Sequence, residues 1–346
     1  MQEQFWNFLK PFIPRLLGQI DRDPDSPSYG SFDRNFWHYK IRDFSSIILQ
    51  QGLLVIDTIR KFQTENNPYF GNPVLEKFTR GGINFWFSQQ LKDGSFNEYY
   101  PYEHGFPPTA FSLYTIGLLF KNNPSWKPDP EIKRSIQKSV NRLLKNPEKE
   151  ALNQQAAALA GIALCSDIKG ISVDKGIFEK HLAEFFSRQS SEGWFPEYGG
   201  PDTGYLSVTI DCLYDYYEIT NDERAWEAME KAVNYIFSMM SVSGDIPAMI
   251  NSRNTDYLVP YGLARLAHTN QKAAAIISTI IKKTREHNHY LYRTDDRYLC
   301  HYVFQSCFRS LPYLDLKNEN FEHHRDKKKI TLHFLSTGET VEVPLR

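Results

Sequence analysis

Gln89-Gln90-Leu91-Lys92-Asp93-Gly94-Ser95-Phe96 closes one apolar helical stripe and precedes another. The same look returns at 188–198 (RQSSEGWFPEY) and at 239–247 (MMSVSGDIP), with the key glycines at Gly193 and Gly244. These glycines lie about two periods and one period of roughly fifty residues apart, the length of one helical hairpin with its loops. The exit missing from the series falls at Leu144-Lys145-Asn146-Pro147, and one period beyond Gly244 lies Arg293-Thr294-Asp295-Asp296. A single hairpin cannot bury both of its faces, so repeated hairpins must stack. The expected fold is all-α: a toroid of about six helical hairpins.

Outward from these exits, helical periodicity dominates. The stretch 36–62 carries Ile41, Phe44, Ile47, Ile48, Val55, Ile59 and Phe62 on one stripe and predicts a long helix. Further stripes cover roughly 74–91, 109–121, 131–145, 151–165, 176–189, 204–219, 223–240, 257–268, 271–286 and 297–311, and with the N-terminal helix they make about twelve. Strand-like alternation enters only at 330–335 and 340–345, around Ser336-Thr337-Gly338, and predicts a terminal β-hairpin. The expected division is a toroid over 1–315 and a tail with the hairpin over 316–346.

Composition narrows the function classes. Of 346 residues 41% are apolar, enough for a sizeable core, and 14% are aromatic, including 20 Tyr and 6 Trp. Tyr and Trp pair a flat apolar body with a polar tip, which suits sugar rings. Lys+Arg number 40 against Asp+Glu 41, so no basic excess marks a nucleic-acid partner. The four cysteines, Cys165, Cys212, Cys300 and Cys307, form no CxxC pair. The histidines show no ligand spacing, so neither a metal nor another cofactor is expected. No apolar run reaches membrane-spanning length, and the N-terminus lacks the features of a secretory signal. A cytoplasmic location without membrane insertion is the expectation, and the oligomeric state stays open.

Five segments hold candidate site residues. The stretch 193–205 places four glycines and two prolines among Trp194, Phe195, Glu197, Tyr198, Asp202 and Tyr205. Such a loop is not helix interior, and its aromatics suit a cavity wall. Asn153-Gln154-Gln155 precedes an alanine-rich helix, where amides also serve as caps. Asn251-Ser252-Arg253-Asn254-Thr255-Asp256-Tyr257 puts a guanidinium fork, suited to a carboxylate, between apolar helices. Asp33-Arg34-Asn35-Phe36-Trp37-His38-Tyr39-Lys40 interleaves charges and rings, with Trp37 for stacking and Arg34, His38 and Lys40 for anion or proton work. Tyr99-Tyr100-Pro101-Tyr102-Glu103-His104 reads as a sugar-lining loop. Glu98, Glu103 and Glu197 are the loop acids best suited to general-acid roles, without a clear catalytic pair for glycoside hydrolysis.

Two resemblances follow from these residues. Arg80-Gly81, the aromatics at 85–87, Gln90, Asp93-Gly94-Ser95-Phe96 and Gln189 with Gly193-Trp194 resemble the toroid repeat of terpenoid cyclases and prenyltransferases. The acidic signatures of terpenoid cyclases are missing, so that likeness implies the fold and not terpene chemistry. Gly30–Arg34 with Phe36-Trp37, Asp93–Phe96 with Glu103, Asn153-Gln154, 193–200 and 252–255 resemble the toroid half of heparinase II/III-like proteins, which are similar to polysaccharide lyases. Many of those carry a large β-sandwich after the toroid, where only a hairpin is predicted here. The resemblance implies an acidic, uronate-containing glycan or glycan precursor as partner, with Asn153 bonding the uronate carboxylate. Arg253 joins Asn153 in that role, and Tyr205, or else Tyr198, moves the proton in a lyase- or epimerase-like reaction. Trp37, His38, Lys40, Arg34, Glu103, Tyr102, Trp194, Glu197, Asp202, Asn254 and Tyr257 are the expected substrate contacts. A non-catalytic glycan-binding or scaffold protein of polysaccharide biosynthesis is the alternative, and a terpenoid-cyclase-like toroid the third reading.

Overall fold

A computed structural model describes residues 1–241, 243–247, 250–251, 255–315, 321–325, 329–334 and 340–344, the last three segments as backbone only. In chain order the helices are α1 (Gln2–Leu9), α2 (Ile13–Leu17), α3 (Arg34–Trp37), α4 (Gly52–Lys61), α5 (Pro73–Ser88), α6 (Phe106–Asn122), α7 (Pro130–Lys145) and α8 (Leu152–Ser166). There follow α9 (Lys175–Ser187), α10 (Thr203–Thr220), α11 (Glu223–Met239), α12 (Tyr261–Leu266), α13 (Gln271–Arg285), α14 (Asp296–Leu299) and α15 (Tyr302–Ser310). Local chemistry starts them: Asn72, Asp129, Asp174, Asp222 and Asn270 each accept a first-turn amide hydrogen bond at the N-cap of α5, α7, α9, α11 and α13.

Helices α4, α6, α8, α10, α12 and α15 pack in succession and close a ring, with α15 against α4. Helices α5, α7, α9, α11, α13 and α1 pack around them as an outer ring. The chain is thus an α/α toroid of six hairpins. Helix α1 completes the outer ring across the whole length of the sequence. Gln2 Nε2 donates to Leu311 O at 2.9 Å, and Gln4 Nε2 donates to Ile281 O at 3.1 Å. Inner helices are buried nearly all round, as from Pro108 to Phe120 of α6, whereas α7 buries only a stripe including Ile132, Ile136, Val140 and Leu143.

The glycine exits are one repeated turn. Gln90 Nε2 donates to Ser135 O of α7 at 2.8 Å, and Gln189 Nε2 donates to Ala228 O of α11 at 2.8 Å. Gly94 and Gly193 adopt φ +90° and +106°. A Cβ on either would meet a carbonyl oxygen of the next outer helix, Lys138 at 2.4 Å or Lys231 at 2.3 Å. Only glycine fits both the backbone and the space.

Several expectations need correction. The long helix over 36–62 is broken: α3 stops at Trp37, and helix resumes as a 3₁₀ turn at Ile47–Gln51 before α4. The cause is buried Asp33, whose Oδ2 accepts from Arg42 Nη2 at 2.5 Å and from Ser46 N at 2.8 Å and gathers the chain into a loop. The N-terminal helix is interrupted around Pro11 and Pro14. Helix 257–268 shrinks to α12 behind Pro260, and 297–311 splits into α14 and α15 at Cys300-His301. The exit expected near 294 is displaced, since α13 ends at Arg285 and His287 takes the positive φ of 52°. The terminal hairpin is one part of a three-stranded antiparallel sheet, β1 (Phe321–Arg325), β2 (Lys329–Phe334) and β3 (Thr340–Pro344). Ile330 faces Val343 in the β2–β3 register, and Phe321 faces Phe334 in the β1–β2 register.

Candidate functional site

The longest connections between neighbouring hairpin helices, 89–105, 188–202, 240–260 and 286–301, all run from an outer to an inner helix, where only 146–151 is short; those from inner to outer helices are 62–72, 123–129, 167–174, 221–222 and 267–270. All long loops therefore gather at one end of the barrel, over the N-termini of the inner helices. There they enclose a cavity of about 220 Å³. Its walls include Glu98 and Tyr99 of the first loop, Asn153 and Gln154 at the start of α8, Tyr198 and Tyr205 around the start of α10, and Arg297, Tyr298, His301 and Tyr302 around α14 and α15.

Several wall residues are held from behind. Backbone bridges pair Phe96 with Gly105 and Glu197 with both Ala151 and Gly200, fixing the bases of two loops. Glu103 accepts from the backbone N–H of Glu98 at 2.6 Å and of Tyr99 at 2.9 Å, which shapes the loop tip. Asp202 caps α10 by accepting from Tyr205 N at 2.8 Å, and it also receives the hydroxyl of Thr255. Asn153 is buried, with its backbone N–H donating to Glu197 Oε1 at 2.7 Å and its Nδ2 to Glu197 Oε2 at 2.6 Å. Burial pushes the Glu197 carboxyl up to about 8 against the opposing pull of these two hydrogen bonds, with Asp202 and Glu148 adding to the rise.

Across the cavity Arg297 Nη2 pairs with Glu98 Oε1 at 3.0 Å, and its guanidinium lies 4.9 Å from the Tyr99 ring centre. Burial raises the Glu98 pKa despite this cation. His301 stacks on Tyr298 with ring centres 5.3 Å apart, and its buried Nε2 has no partner among the described residues. Burial, with the Arg297 charge, depresses the His301 pKa to about 3, so the imidazole is neutral at physiological pH. Tyr302 lies with its ring centre 6.5 Å from that of Tyr205, and its hydroxyl shares a hydrogen bond of 3.0 Å with Tyr257. Burial keeps both Tyr302 and Tyr257 far above the ordinary phenol pKa, as un-ionised phenols. Arg297 also walls an adjoining cavity of about 270 Å³ with Arg34, Asn35, Tyr39 and Arg42.

Of the residues singled out in the sequence, Glu98, Tyr99, Asn153, Gln154, Tyr198 and Tyr205 share the central cavity, and Asp33, Arg34, Asn35 and Tyr39 lie in the adjoining one. Others are placed elsewhere. Trp37 donates its Nε1 to Gln19 O at 2.8 Å, and His38 is exposed between the Trp37 and Tyr39 rings. Lys40 and Tyr102 are exposed turn residues with φ 54° and 56°. Trp194 is anchored by Glu192 at 3.0 Å, away from the described cavity walls. Glu103, Glu197 and Asp202 act on backbone and side chains behind the wall, as described above. Tyr257 stands behind Tyr302 and walls a different cavity beside His289 and Arg293. Arg253 and Asn254 lie outside the described residues. Arg297, Tyr298, His301 and Tyr302 were missed. Their signal was a dense run of ring, base and cation before a helix, the texture that had singled out 33–40.

The cavity thus combines two amides, a guanidinium, several phenols and a neutral imidazole with one carboxyl group, Glu98. Such a set has the chemistry to hold an anion or a polyol and to exchange protons with it. No family model matches the sequence, and no curated protein matches it. Among solved structures, a glycosyl hydrolase family 88 protein from Bacteroides vulgatus is similar at TM-score 0.53 and 9% identity, over 91% of this chain and 100% of that one. A glycoside hydrolase family 76 (mannosidase) protein, Bt3792 from Bacteroides thetaiotaomicron VPI-5482, aligns at TM-score 0.47 and 9% identity, over 89% of this chain and 97% of that one. At such identity the first likeness speaks to the fold.

Proposed function

We propose that the cavity binds an acidic, uronate-containing sugar chain and removes the proton beside its carboxylate. The observation that carries this reading is the convergence of Asn153, Tyr205, Arg297 and His301 on one cavity wall. Arg297 and Asn153 hold the carboxylate, and neutralising that group makes the adjacent ring C–H more acidic. The unprotonated imidazole of His301 takes the proton, the negative charge of the bound carboxylate raising its basicity from the value that burial and Arg297 depress. The electron pair left behind forms a ring double bond as the bond to the leaving oxygen breaks, and the Tyr205 hydroxyl protonates that oxygen. Return of a proton to the opposite ring face, without bond cleavage, gives epimerisation from the same first step.

The fold neighbour is named a glycosyl hydrolase, which fits a sugar ligand in general terms. Ordinary glycoside hydrolysis asks for two carboxyl groups flanking the bond; among the described residues Glu98 is the single carboxylate lining the central cavity, and the further acids Asp33, Asp295 and Asp296 line the adjoining one. A terpenoid ligand fits a wall holding Glu98, Asn153, Gln154, Arg297 and His301 poorly. The adjoining cavity around Arg34 and Tyr39 supplies room for a neighbouring sugar unit. The test is incubation with polyglucuronate, polygalacturonate, alginate and hyaluronan, reading ultraviolet absorbance of unsaturated uronate and uptake of solvent deuterium. Absorbance marks elimination, deuterium without absorbance marks epimerisation, and binding without either marks a glycan-binding protein. No binding to any acidic glycan overturns the proposal.

A further inference from the structure

The Asn153 amide faces a group that is able to turn it round. Glu197 is 1% exposed, and both of its carboxyl oxygens accept from Asn153: Oε1 takes the backbone N–H at 2.7 Å and Oε2 takes Nδ2–H at 2.6 Å. Its backbone is pinned by the bridges to Ala151 and Gly200 and by Asn251 Nδ2 donating to its carbonyl at 2.5 Å. The backbone that carries the carboxyl is therefore fixed, and the two hydrogen bonds to Asn153 hold the carboxyl beside the amide. An ionised carboxylate only accepts, so it holds the amide nitrogen and leaves Oδ1 and one N–H for the cavity. A protonated carboxyl keeps one acceptor for the backbone N–H and gains an O–H donor for Oδ1. The amide then rotates and offers both of its N–H groups to the cavity.

We infer that Glu197 is a positioning residue whose protonation sets which end of the Asn153 amide faces the ligand, and so selects for an acidic sugar. The inference rests on the proposed function for its ligand, though not for the amide rotation. The charged groups that face Glu197 are Glu148 from the loop before α8 and Asp202 from the start of α10, both of which disfavour its ionisation, as does its burial. The amide supplied by Asn153 and the amide of Asn251 are neutral. The arrangement in the structure, with Nδ2–H donated to Oε2, is the one an ionised carboxylate holds; retention of the proton, which burial favours, turns the donor face to the cavity. Above about pH 8 the carbonyl turns inward and a negative charge forms behind it, both of which oppose an anion.

The experiment uses the full chain and its Glu197→Gln variant. Glutamine keeps one acceptor and one donor at the two oxygen positions, so it fixes the donor-out amide at every pH. The side-chain NH₂ resonances of Asn153, identified by their loss in Asn153→Asp, are followed from pH 6 to 9.5. They are expected to shift in the wild type and to stand still in Glu197→Gln. Affinity for an oligoglucuronate, against a neutral cello-oligosaccharide, is measured over the same range. It is expected to fall roughly tenfold for the acidic probe in the wild type, the scale of one hydrogen bond to a charged group, and to lose that step in Glu197→Gln. Resonances that do not move in the wild type, or that move equally in the variant, overturn the inference. Resonances that behave as expected while no acidic probe binds leave the amide switch standing and overturn the uronate reading instead.

Discussion

His301 is buried as a neutral imidazole with its Nε2 lacking a partner among the described residues, an arrangement that disfavours folding. On the proposed function its position on the cavity wall accounts for it, with a ligand atom as the partner. His301→Phe keeps a ring against Tyr298 and removes the unpaired nitrogen. The expected outcome is an unchanged or raised unfolding temperature together with a rate loss of about 10²–10⁴-fold, the scale of a lost acid–base group. A variant that is markedly less stable yet active would assign His301 to packing. Asn153 and Tyr205 were legible in the sequence because each follows a loop and opens a helix of distinctive texture. His301 and Arg297 were not, because no glycine marks their loop. The residues they meet, such as Glu98, lie about two hundred positions away.

At the level of elements, the repeated turn was the readable feature. Gly94 and Gly193 were visible as helix exits, and their positive φ and contact with the next outer helix explain the spacing. Gly94→Ala and Gly193→Ala should each destabilise the protein by about 1–3 kcal/mol, measured by urea unfolding, through backbone strain and through collision with a carbonyl oxygen. The interruption of 36–62 was not readable, because a stripe of apolar residues does not reveal that Asp33 gathers the loop behind it. Nor was the barrel floor. Arg309 of α15 pairs with Asp215 of α10 at 2.5 Å, Tyr261 of α12 donates to Asp215 at 2.9 Å, and Tyr114 of α6 donates to the same carboxylate. On α6, Phe111 walls the candidate site and Leu118 walls a cavity at the opposite end, with Tyr114 between them. The network thus separates the two ends of the ring. Arg309→Met leaves the Asp215 charge buried without its cation, and a loss of roughly 3–5 kcal/mol in unfolding free energy is expected. A loss below about 1 kcal/mol would show that the pair does not hold the inner helices together.

Across the whole molecule, four buried groups link stability to pH in opposite directions. His289 and His301 have folded pKa values near 3, so between about 6.5 and 3 the unfolded chain binds protons that the folded chain does not. Their contribution is present above 6.5 and lost as pH falls towards 3. Burial raises Glu197 to about 8 and Asp211 to about 7, so their contribution is present below about 4 and lost as pH rises through those values. From these groups the unfolding temperature should rise from pH 3 to about 4.5, stay level to about 6.5 and fall towards pH 8. Glu197→Gln should flatten the alkaline fall, and an unchanged fall would remove Glu197 as its source. The ring architecture joins these scales, since six hairpins bring loops from distant parts of the sequence over one set of inner-helix N-termini. The central claim, that the cavity so formed moves a proton beside a sugar carboxylate, meets its most direct test in Tyr205→Phe and Asn153→Ala. Both are assayed for unsaturated uronate and for solvent-deuterium exchange on the acidic glycan that the wild type turns over. The account predicts that both folded variants lose about 10²–10⁴-fold in rate. Wild-type activity in both would contradict it.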